Sequence, residues 1–183
     1  MIISPIPDFS FRTLTDVTPE FLNQLGIKFL MLDLDNTIAA YDEHLPSDAL
    51  LQWAQDVRSQ GVELYIVSNS LRKKRVAAFT QELDVGVIMN AHKPSPNGVF
   101  KAMETSGHTV ESSAFIGDQI FTDTLAANRA GVISIIVRPL RFTNPFLALR
   151  FAAEAPFRAM CKNNSRNKKT SSSMQRRTAK QKI

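Results

Sequence analysis

Two aspartates, Asp33 and Asp35, stand where an apolar run at 29–32 gives way to polar residues. Such a run is typical of a buried parallel strand, and its polar end marks the sheet edge where α/β proteins bind ligands. Carboxylates two residues apart on a strand point to the same side. Because two buried like charges are costly unless a cation or a reaction needs them, the pair predicts a magnesium site with a nucleophilic aspartate. An ordinary turn is the alternative.

Polar groups also follow three later strands, which we expect near 62–67, 85–89 and 113–116. These groups are Ser68 with Asn69, then Lys93, then Asp118. Right-handed crossovers place the ends of parallel strands side by side, so the three should share one edge with the aspartate pair. Taken singly, they could be a turn, a surface lysine and a helix cap. Their occurrence together, in this order, favours a site.

The combined set provides what hydrolysis of a phosphate monoester requires, namely a nucleophile, a proton donor and neutralisation of charge. We expect Asp33 to be the nucleophile and to form an aspartyl-phosphate. Asp35 would protonate the leaving oxygen and then activate water. Magnesium would be held by Asp33, the backbone carbonyl of Asp35 and Asp118, because it prefers a few oxygen ligands.

The remaining polar residues are assigned to the phosphate and to the outer shell of the metal. Ser68, Asn69 and Lys93 are expected to bind phosphoryl oxygens and offset their charge. Asp123 follows Asp118 by about one helical turn and would orient a metal-bound water. The three histidines show no metal-ligand spacing and are expected at the surface: His44, His92 and His108.

These segments resemble the four motifs of phosphatases of the haloacid dehalogenase (HAD) superfamily. The matching stretches are Asp33-Leu34-Asp35-Asn36-Thr37, Ile66-Val67-Ser68-Asn69-Ser70, Lys93-Pro94 and Gly117-Asp118-Gln119-Ile120-Phe121-Thr122-Asp123. The resemblance covers roughly residues 17 to 139. With Thr18-Pro19-Glu20 included, the sequence resembles class IIIA of this superfamily and, within that class, the YqeG branch. The YqeG branch is in turn similar to mitochondrial phosphatidylglycerophosphatases. That likeness implies removal of phosphate from phosphatidylglycerophosphate.

The alternation of strand and helix patterns predicts a three-layer, Rossmann-like (HAD-like) α/β fold around one parallel sheet. We expect one phosphatase domain over residues 1–160. The stretches 38–67 and 71–92, between the motifs, have no room for a sizeable cap domain. The site should therefore be open, which suits a bulky or membrane-held substrate.

One helix begins beside the candidate phosphate site with four successive cations, residues 72–75. Cations at a helix start oppose the helix dipole. We expect a solvated face, with a role at the site as the alternative.

The end of the chain is basic. Residues 161–183 contain eight Lys and Arg and no Asp or Glu, which gives this segment a charge of +8. Because the whole chain has a net charge of +5, residues 1–160 have a net charge of −3. We expect a disordered tail that is either solubilising or binds anionic lipid or RNA. Before it, the segment 141–160 places an apolar stripe on one helical face: Phe146, Leu149, Ala153, Phe157 and Met160. That stripe could pack on the sheet or lie on an anionic bilayer, with a break or bend at Pro156.

Composition narrows the class of protein. An apolar fraction of 44% is ordinary for a globular chain, and a single cysteine excludes an internal disulfide and a multi-cysteine zinc site. The start lacks a secretory pattern, and we expect a cytoplasmic protein with or without peripheral membrane contact. Three functions remain open: a phosphatase of phosphatidylglycerophosphate, a soluble phosphatase of sugar phosphates or nucleotides, and a nucleic-acid-binding module that uses the basic tail. The oligomeric state stays undetermined.

Overall fold

The centre of the computed structural model, which describes residues 4–143 and 145–161, is a sheet of six parallel strands in the order β1-β6-β5-β2-β3-β4. The strands are β1 Phe9–Ser10, β2 Phe29–Leu32, β3 Glu63–Val67, β4 Gly86–Ile88, β5 Ser113–Gly117 and β6 Ile133–Ile136. Every pairing is parallel. All carboxyl ends therefore meet at one edge, as predicted for the site.

Within the described residues, six α-helices connect or follow these strands. They are α1 Pro19–Gln24, α2 Asp48–Ser59, α3 Lys73–Leu83, α4 Asn97–Ser106, α5 Leu125–Ala130 and α6 Pro145–Ala159. The hydroxyl of Thr18 accepts a hydrogen bond from the Phe21 N–H at 3.2 Å, and that of Ser47 accepts one from the Leu50 N–H at 3.3 Å. Each cap satisfies a donor that the helix itself leaves unpaired, which fixes where α1 and α2 begin.

Alternate residues of β2 face two separate apolar cores. Leu30 and Leu32 pack in the core that contains Trp53 of α2 and residues of α3, whereas Phe29 and Met31 pack in the core formed with α4 and α5. A strand buried on both faces needs an unbroken apolar run, which is what residues 29–32 supply. The predicted three-layer α/β fold is confirmed.

The segments between the motifs are short, as expected. Residues 33–62, between β2 and β3, hold a loop and α2, and residues 68–85, between β3 and β4, hold α3. No helix or strand is left over to form a cap above the carboxyl edge from either segment. The predicted absence of a sizeable cap domain is confirmed.

Strand β1 is a feature that the sequence did not predict. Its two residues pair with β6, with Phe9 opposite Ile135, and the Phe11 N–H donates to the Ile136 carbonyl at 2.9 Å. Two residues are too few to show an alternating pattern, so only the neighbouring strand identifies them as part of the sheet.

Helix α6 is oriented differently from what the core-packing interpretation required. Phe146 and Leu149 are each 70% exposed, and Met160 is exposed as well. Packing of the predicted apolar stripe on the sheet is therefore wrong for these residues, and Phe157 alone of the large members is half-buried. The helix also continues through Pro156, where we predicted a break or bend.

The opposite side of α6 explains this orientation. Glu154 is almost fully buried, and Arg158 binds it at 3.0 Å while also donating to the Val137 carbonyl at 2.9 Å. These polar contacts, together with the buried Leu147, dock the helix. Among the described residues, no helix is long and apolar enough to cross a membrane. The predicted tail, 161–183, lies outside the described residues except for Cys161, whose buried thiol lies 3.4 Å from the Asp8 carbonyl.

Candidate active site

The carboxyl edge of the sheet brings the predicted site residues together. Asp33 follows β2 and its N–H donates to the Ile116 carbonyl of β5 at 2.9 Å, while the Ser68 N–H donates to the Ile88 carbonyl of β4 at 3.0 Å. These bonds extend the sheet ladder into the site, so the first residue after each strand is held rigidly. A cleft of about 100 Å³ opens there, lined by Asp33, Asp35, Tyr41, Ser68, Asn69, Lys93, Gln119, Thr122 and Asp123.

A buried ammonium group lies between two carboxylates at the floor of this cleft. Lys93 Nζ is 2.6 Å from Asp33 Oδ1 and 2.8 Å from Asp123 Oδ1. Burial favours the neutral amine, but Asp123 and Asp33 outweigh it and raise the pKa of Lys93 above its ordinary value. The surface-loop alternative for Lys93 is wrong, since the residue is buried and charged at the centre of the site.

The environment of Asp33 opposes its ionisation. Burial raises the pKa of Asp33 from 3.8 to about 7, and the nearby Lys93 charge offsets only part of that effect while Asp123 adds to it. A nearby cation favours the carboxylate form. The ionised form of Asp33 therefore depends on positive charge supplied by Lys93 and by any bound cation.

Asp118 is the most enclosed of the carboxylates, with no exposed surface. Its Oδ1 lies 3.4 Å from the Thr37 hydroxyl, which also lies 3.2 Å from Asp33 Oδ2. Its Oδ2 accepts no hydrogen bond from the described residues, and the nearest cation, Arg150 Nη2, is 3.8 Å away. Burial, then the Asp123 and Asp33 charges, raise the pKa of Asp118 well above its ordinary value.

The carboxylates of Asp33, Asp118 and Asp123 are close enough to share a cation, with one oxygen of each within 4.8 Å of the others. Lys93 contacts two of the three carboxylates, and Arg150 lies 3.8 Å from the third. One Asp118 oxygen is left without a hydrogen bond from the described residues, and three carboxylates against two cations give the cluster an excess of negative charge. A hard divalent cation with oxygen ligands fits such a cluster. Asp123, predicted to act through a water, is thus brought as near as the predicted ligands Asp33 and Asp118.

A local distortion of the chain places Asp123. Residues Ile120–Thr124 form a π-helical turn ahead of α5, and Asp123 Oδ2 accepts a hydrogen bond from the Gln119 N–H at 3.0 Å. The Asp123 side chain lies directly over Gly117, where any β-carbon would overlap it. Glycine therefore precedes Asp118 for a steric reason, and the wide turn is of the kind found at functional sites.

Asn69 holds the main chain of Lys93 from both sides. Its amide donates to the Lys93 carbonyl at 3.0 Å, and its side-chain oxygen accepts from the Lys93 N–H at 2.8 Å. The buried Ser68 hydroxyl accepts from the Ser70 N–H at 3.1 Å, which leaves its own hydrogen available to donate into the cleft. Binding of phosphate by Ser68, Asn69 and Lys93 stays a prediction.

Sequence reasoning missed the partner of Asp35. Arg75 Nη1 lies 2.6 Å from Asp35 Oδ1, and the same guanidinium donates to the Glu43 carbonyl at 2.7 Å and the Ala40 carbonyl at 2.8 Å. The expected solvated face is wrong for Arg75, which is buried. A signal was present, since Arg75 shares helical spacing with the buried Phe79 and Leu83.

The other cations of that helical turn and the histidines lie away from the carboxylates. Lys73 and Lys74 are exposed, as expected of a solvated face. His44 and His92 are exposed, and the half-buried His108 stacks on Phe29. None of the three histidines belongs to the carboxylate cluster of the described residues.

Comparison with known proteins identifies the family. The family model described as mitochondrial PGP phosphatase matches residues 3–139. A probable phosphatase YqeG of Bacillus subtilis (strain 168) is 31% identical over 142 residues, which covers 78% of this chain and 82% of that protein. Phosphatidylglycerophosphate phosphatase 1, chloroplastic/mitochondrial, of Arabidopsis thaliana is 26% identical over 152 residues. That alignment covers 78% of this chain but 43% of the plant protein, so the chain spans less than half of that relative.

A solved structure agrees with these matches at the level of the fold. An uncharacterized protein from Listeria monocytogenes serotype 4b aligns with a TM-score of 0.50 and 14% identity, over 72% of this chain and 98% of that chain. Such a distant likeness shows a shared architecture alone. The sequence matches carry the identification: the chain is a phosphatase and belongs to the mitochondrial PGP phosphatase family.

Proposed function

We propose that this protein is a magnesium-dependent phosphatase that removes the terminal phosphate of phosphatidylglycerophosphate through an aspartyl-phosphate on Asp33. One observation carries the chemistry. The Asp33 carboxylate ends a buried strand at the floor of an open cleft, with Lys93 at 2.6 Å on one side and Asp118 on the other. A carboxylate in this position can attack a phosphoryl group that enters from the open side.

The two half-reactions use Asp33 and Asp35 in turn. A carboxylate oxygen of Asp33 bonds to phosphorus while the bond from phosphorus to the glycerol oxygen breaks, and Asp35 gives its proton to that oxygen. Water then attacks phosphorus, Asp35 takes up its proton, and the acyl phosphate bond breaks. Inorganic phosphate leaves and the Asp33 carboxylate is restored.

The surrounding groups reduce repulsion between the carboxylate and the phosphate. The Lys93 ammonium would supply positive charge, and the Ser68 hydroxyl a hydrogen-bond donor, to the phosphoryl oxygens as negative charge develops on them. Bound to Asp33, Asp118 and the backbone carbonyl of Asp35, Mg²⁺ would neutralise the charge shared by nucleophile and substrate. Arg75 holds Asp35 at the cleft wall, which orients the proton donor.

Two findings support a lipid substrate. No cap covers the cleft from the segments that follow β2 and β3, so a head group that protrudes from a bilayer could reach Asp33. The plant relative is named for phosphatidylglycerophosphate, while the Bacillus relative is named only as a probable phosphatase. A small sugar phosphate or nucleotide would leave the reaction exposed to water in the same cleft.

The test is phosphate release from phosphatidylglycerophosphate in mixed micelles, with magnesium or with chelator, beside a panel of sugar phosphates and nucleotides. We expect magnesium-dependent turnover that favours the lipid. Asp33→Asn should abolish it, whereas Asp56→Asn, which changes an exposed carboxylate on α2, should not. Turnover confined to the soluble panel would retain the reaction and reject the lipid substrate.

Metal binding can be checked without turnover. Calorimetric titration of magnesium should give saturable binding to the wild-type protein and little binding to Asp118→Asn, because Asp118 would supply a buried ligand oxygen. Equal affinity in both proteins would remove Asp118 from the proposed ligand set.

A further inference from the structure

We propose that α6 and the loop before it form a docking face for an anionic phospholipid bilayer. The docking face consists of Leu140, Phe142, Phe146, Leu149 and Met160, all exposed. This inference rests on the proposed lipid substrate and names the surface that would bring the cleft to it. Among the large apolar side chains that are exposed in the described residues, these five belong to one segment.

The helix is inverted relative to a core helix. A surface helix of a globular protein turns its apolar stripe to the core and its charges to water. In α6, Glu154 and Arg158 lie on the inner side, where Arg158 binds Glu154 and the carbonyls of Val137 and Asp118. The inner side is thus attached through these polar groups together with the buried Leu147, and Phe146 and Leu149 are left facing outward. This arrangement suits a helix that lies on a membrane surface.

The loop that carries Leu140 is hydrogen-bonded to Asn36, in the turn that follows Asp35. The Leu140 N–H donates to the Asn36 carbonyl at 3.0 Å, and the Arg141 N–H donates to the Asn36 side-chain oxygen at 3.0 Å. The Asn36 amide in turn donates to the Arg141 carbonyl at 2.7 Å. Because Asn36 stands between Asp35 and Thr37, the loop that carries Leu140 cannot move independently of the site.

Exposed apolar side chains and cations also lie on the opposite side of the cleft, near the end of β3. Leu45 is 61% exposed and Leu71 is 72% exposed, and a groove of about 630 Å³ runs along Leu71 with Arg72, Lys73 and Lys74. Leu71 follows β3, whereas α6 contacts the ends of β5 and β6, and β2 with Asp33 lies between these strands. Exposed apolar side chains therefore lie on both sides of β2 along the sheet.

Charge selects an anionic bilayer as the occupant. Residues 162–183, which follow α6 directly, carry eight Lys and Arg and no acidic residue. Basic residues that follow an apolar segment in the sequence favour membranes that contain anionic lipid. A nucleic acid would use the cations and leave Phe146 and Leu149 exposed, and a purely apolar protein partner would leave the cations unused.

The experiment measures cosedimentation of the full chain with vesicles of phosphatidylcholine plus phosphatidylglycerol, and with vesicles of phosphatidylcholine alone. We expect binding to the anionic vesicles that weakens as salt increases. The double variant Phe146→Ser with Leu149→Ser should bind roughly tenfold or more weakly, because two apolar side chains no longer enter the interface. The matched control is Phe100→Ser, which removes an aromatic ring that is 44% exposed on α4 and should bind like the wild type.

A second variant tests the charge. Changing Lys168, Lys169, Arg176 and Arg177 to Gln should weaken binding to the anionic vesicles by roughly tenfold or more and reduce the salt dependence. Binding by this variant that equals that of the wild type would overturn the choice of an anionic occupant. So would equal binding of the wild type to both kinds of vesicle.

The docking face itself is overturned if Phe146→Ser with Leu149→Ser binds anionic vesicles like the wild type. It is also overturned if the wild type binds no vesicles and sedimentation shows a dimer that this variant converts to a monomer. Failure of the proposed function looks different. Vesicle binding without release of phosphate from phosphatidylglycerophosphate would support docking and reject the substrate, while equal turnover of vesicle-held lipid by both proteins would support the substrate and reject docking.

Discussion

The two buried clusters of charge in this protein are built in opposite ways. At the sheet edge, three carboxylates lie close together, the Lys93 ammonium contacts two of them, and Asp118 Oδ2 accepts no hydrogen bond from the described residues. Under α6, the carboxylate of Glu154 is matched by Arg158, which also binds two backbone carbonyls. The first cluster has an excess of negative charge, whereas in the second the carboxylate of Glu154 faces two guanidinium groups. Arg150 lies 4.0 Å from Glu154 and 3.8 Å from Asp118, and the buried Nε atoms of Arg150 and Arg158 have no hydrogen-bond partner among the described residues.

The difference is consistent with a reactive site at the sheet edge, as proposed, and a structural contact under α6. Buried charge is tolerated when partners satisfy it, as under α6, and is otherwise costly. The sheet edge retains that cost, and the raised pKa values of Asp33 and Asp118 report it. An unbalanced cluster of this kind is the arrangement that a cation and a phosphate would complete.

The largest effect is expected from Lys93→Met, which removes the one cation between Asp33 and Asp123. Breaking a buried ion pair costs about 3–5 kcal/mol. We expect a loss of that size in the free energy of unfolding, measured by urea denaturation at pH 8, and a smaller loss at pH 5, where Asp33 can take up a proton. Lys101→Met, at an exposed position on α4, is the control. An equal loss at both pH values would show that Lys93 does not compensate ionised carboxylates.

The second cluster gives the next largest effect. Glu154→Ala should lower the free energy of unfolding by about 3 kcal/mol, because it leaves Arg158 buried without its carboxylate. Phe146→Ser, on the outward side of the same helix, should change it by less than about 0.5 kcal/mol. Thermal and urea unfolding of both variants measure these two changes in the free energy of unfolding. If Phe146→Ser proved the more costly change, α6 would be packed through its apolar side.

In the metal-free protein, the carboxylate cluster at the sheet edge should make the free energy of unfolding depend on pH. The folded-state pKa of Asp33 is about 7, above the ordinary value of 3.8, so the folded protein binds more protons than the unfolded chain between these values. Stability from this group is complete below about pH 4 and is lost as the pH rises to about 7, by on the order of a few kcal/mol. Asp33→Asn should flatten this part of the curve, and addition of magnesium should raise stability at pH 7 and above.

The smallest change is expected at the wall of the cleft. Arg75→Lys replaces a fork that binds Asp35, Glu43 and Ala40 with a single ammonium that cannot reach all three. We expect kcat to fall by about 10–100-fold, with a shifted pH profile and little change in KM, because a misplaced proton donor affects the chemical step.

Lys74→Ala, which removes an exposed cation of the same helical turn, is the matched control for Arg75→Lys. If Arg75→Lys lowered thermal stability but left the pH profile of kcat in place, the role of Arg75 would be structural only.

Features that depend on local sequence patterns were predictable from the sequence. The apolar run at 29–32 followed by Asp33 predicted a buried strand and a residue at its end, because burial on both faces of a strand is a local pattern. The same reasoning located Ser68 and Asp118. Their convergence followed from parallel topology, which the alternation of elements already indicates.

Contacts between distant segments were not predictable in the same way. The bond from Arg75 to Asp35 joins residues 40 positions apart, and a basic run by itself is more often solvated. The two-residue strand β1 and the π-helical turn that carries Asp123 have no periodic signature. Each depends on a neighbouring element that supplies the missing hydrogen bonds.

The sequence by itself determined that an apolar stripe lies along α6, since helical spacing fixes which side chains share a face. Only the tertiary structure decided which side of α6 turns inward. The buried Asp118 and Val137 carbonyls require donors, and Arg158 satisfies both, so the side with Arg158, Glu154 and Leu147 docks while Phe146 and Leu149 are left exposed.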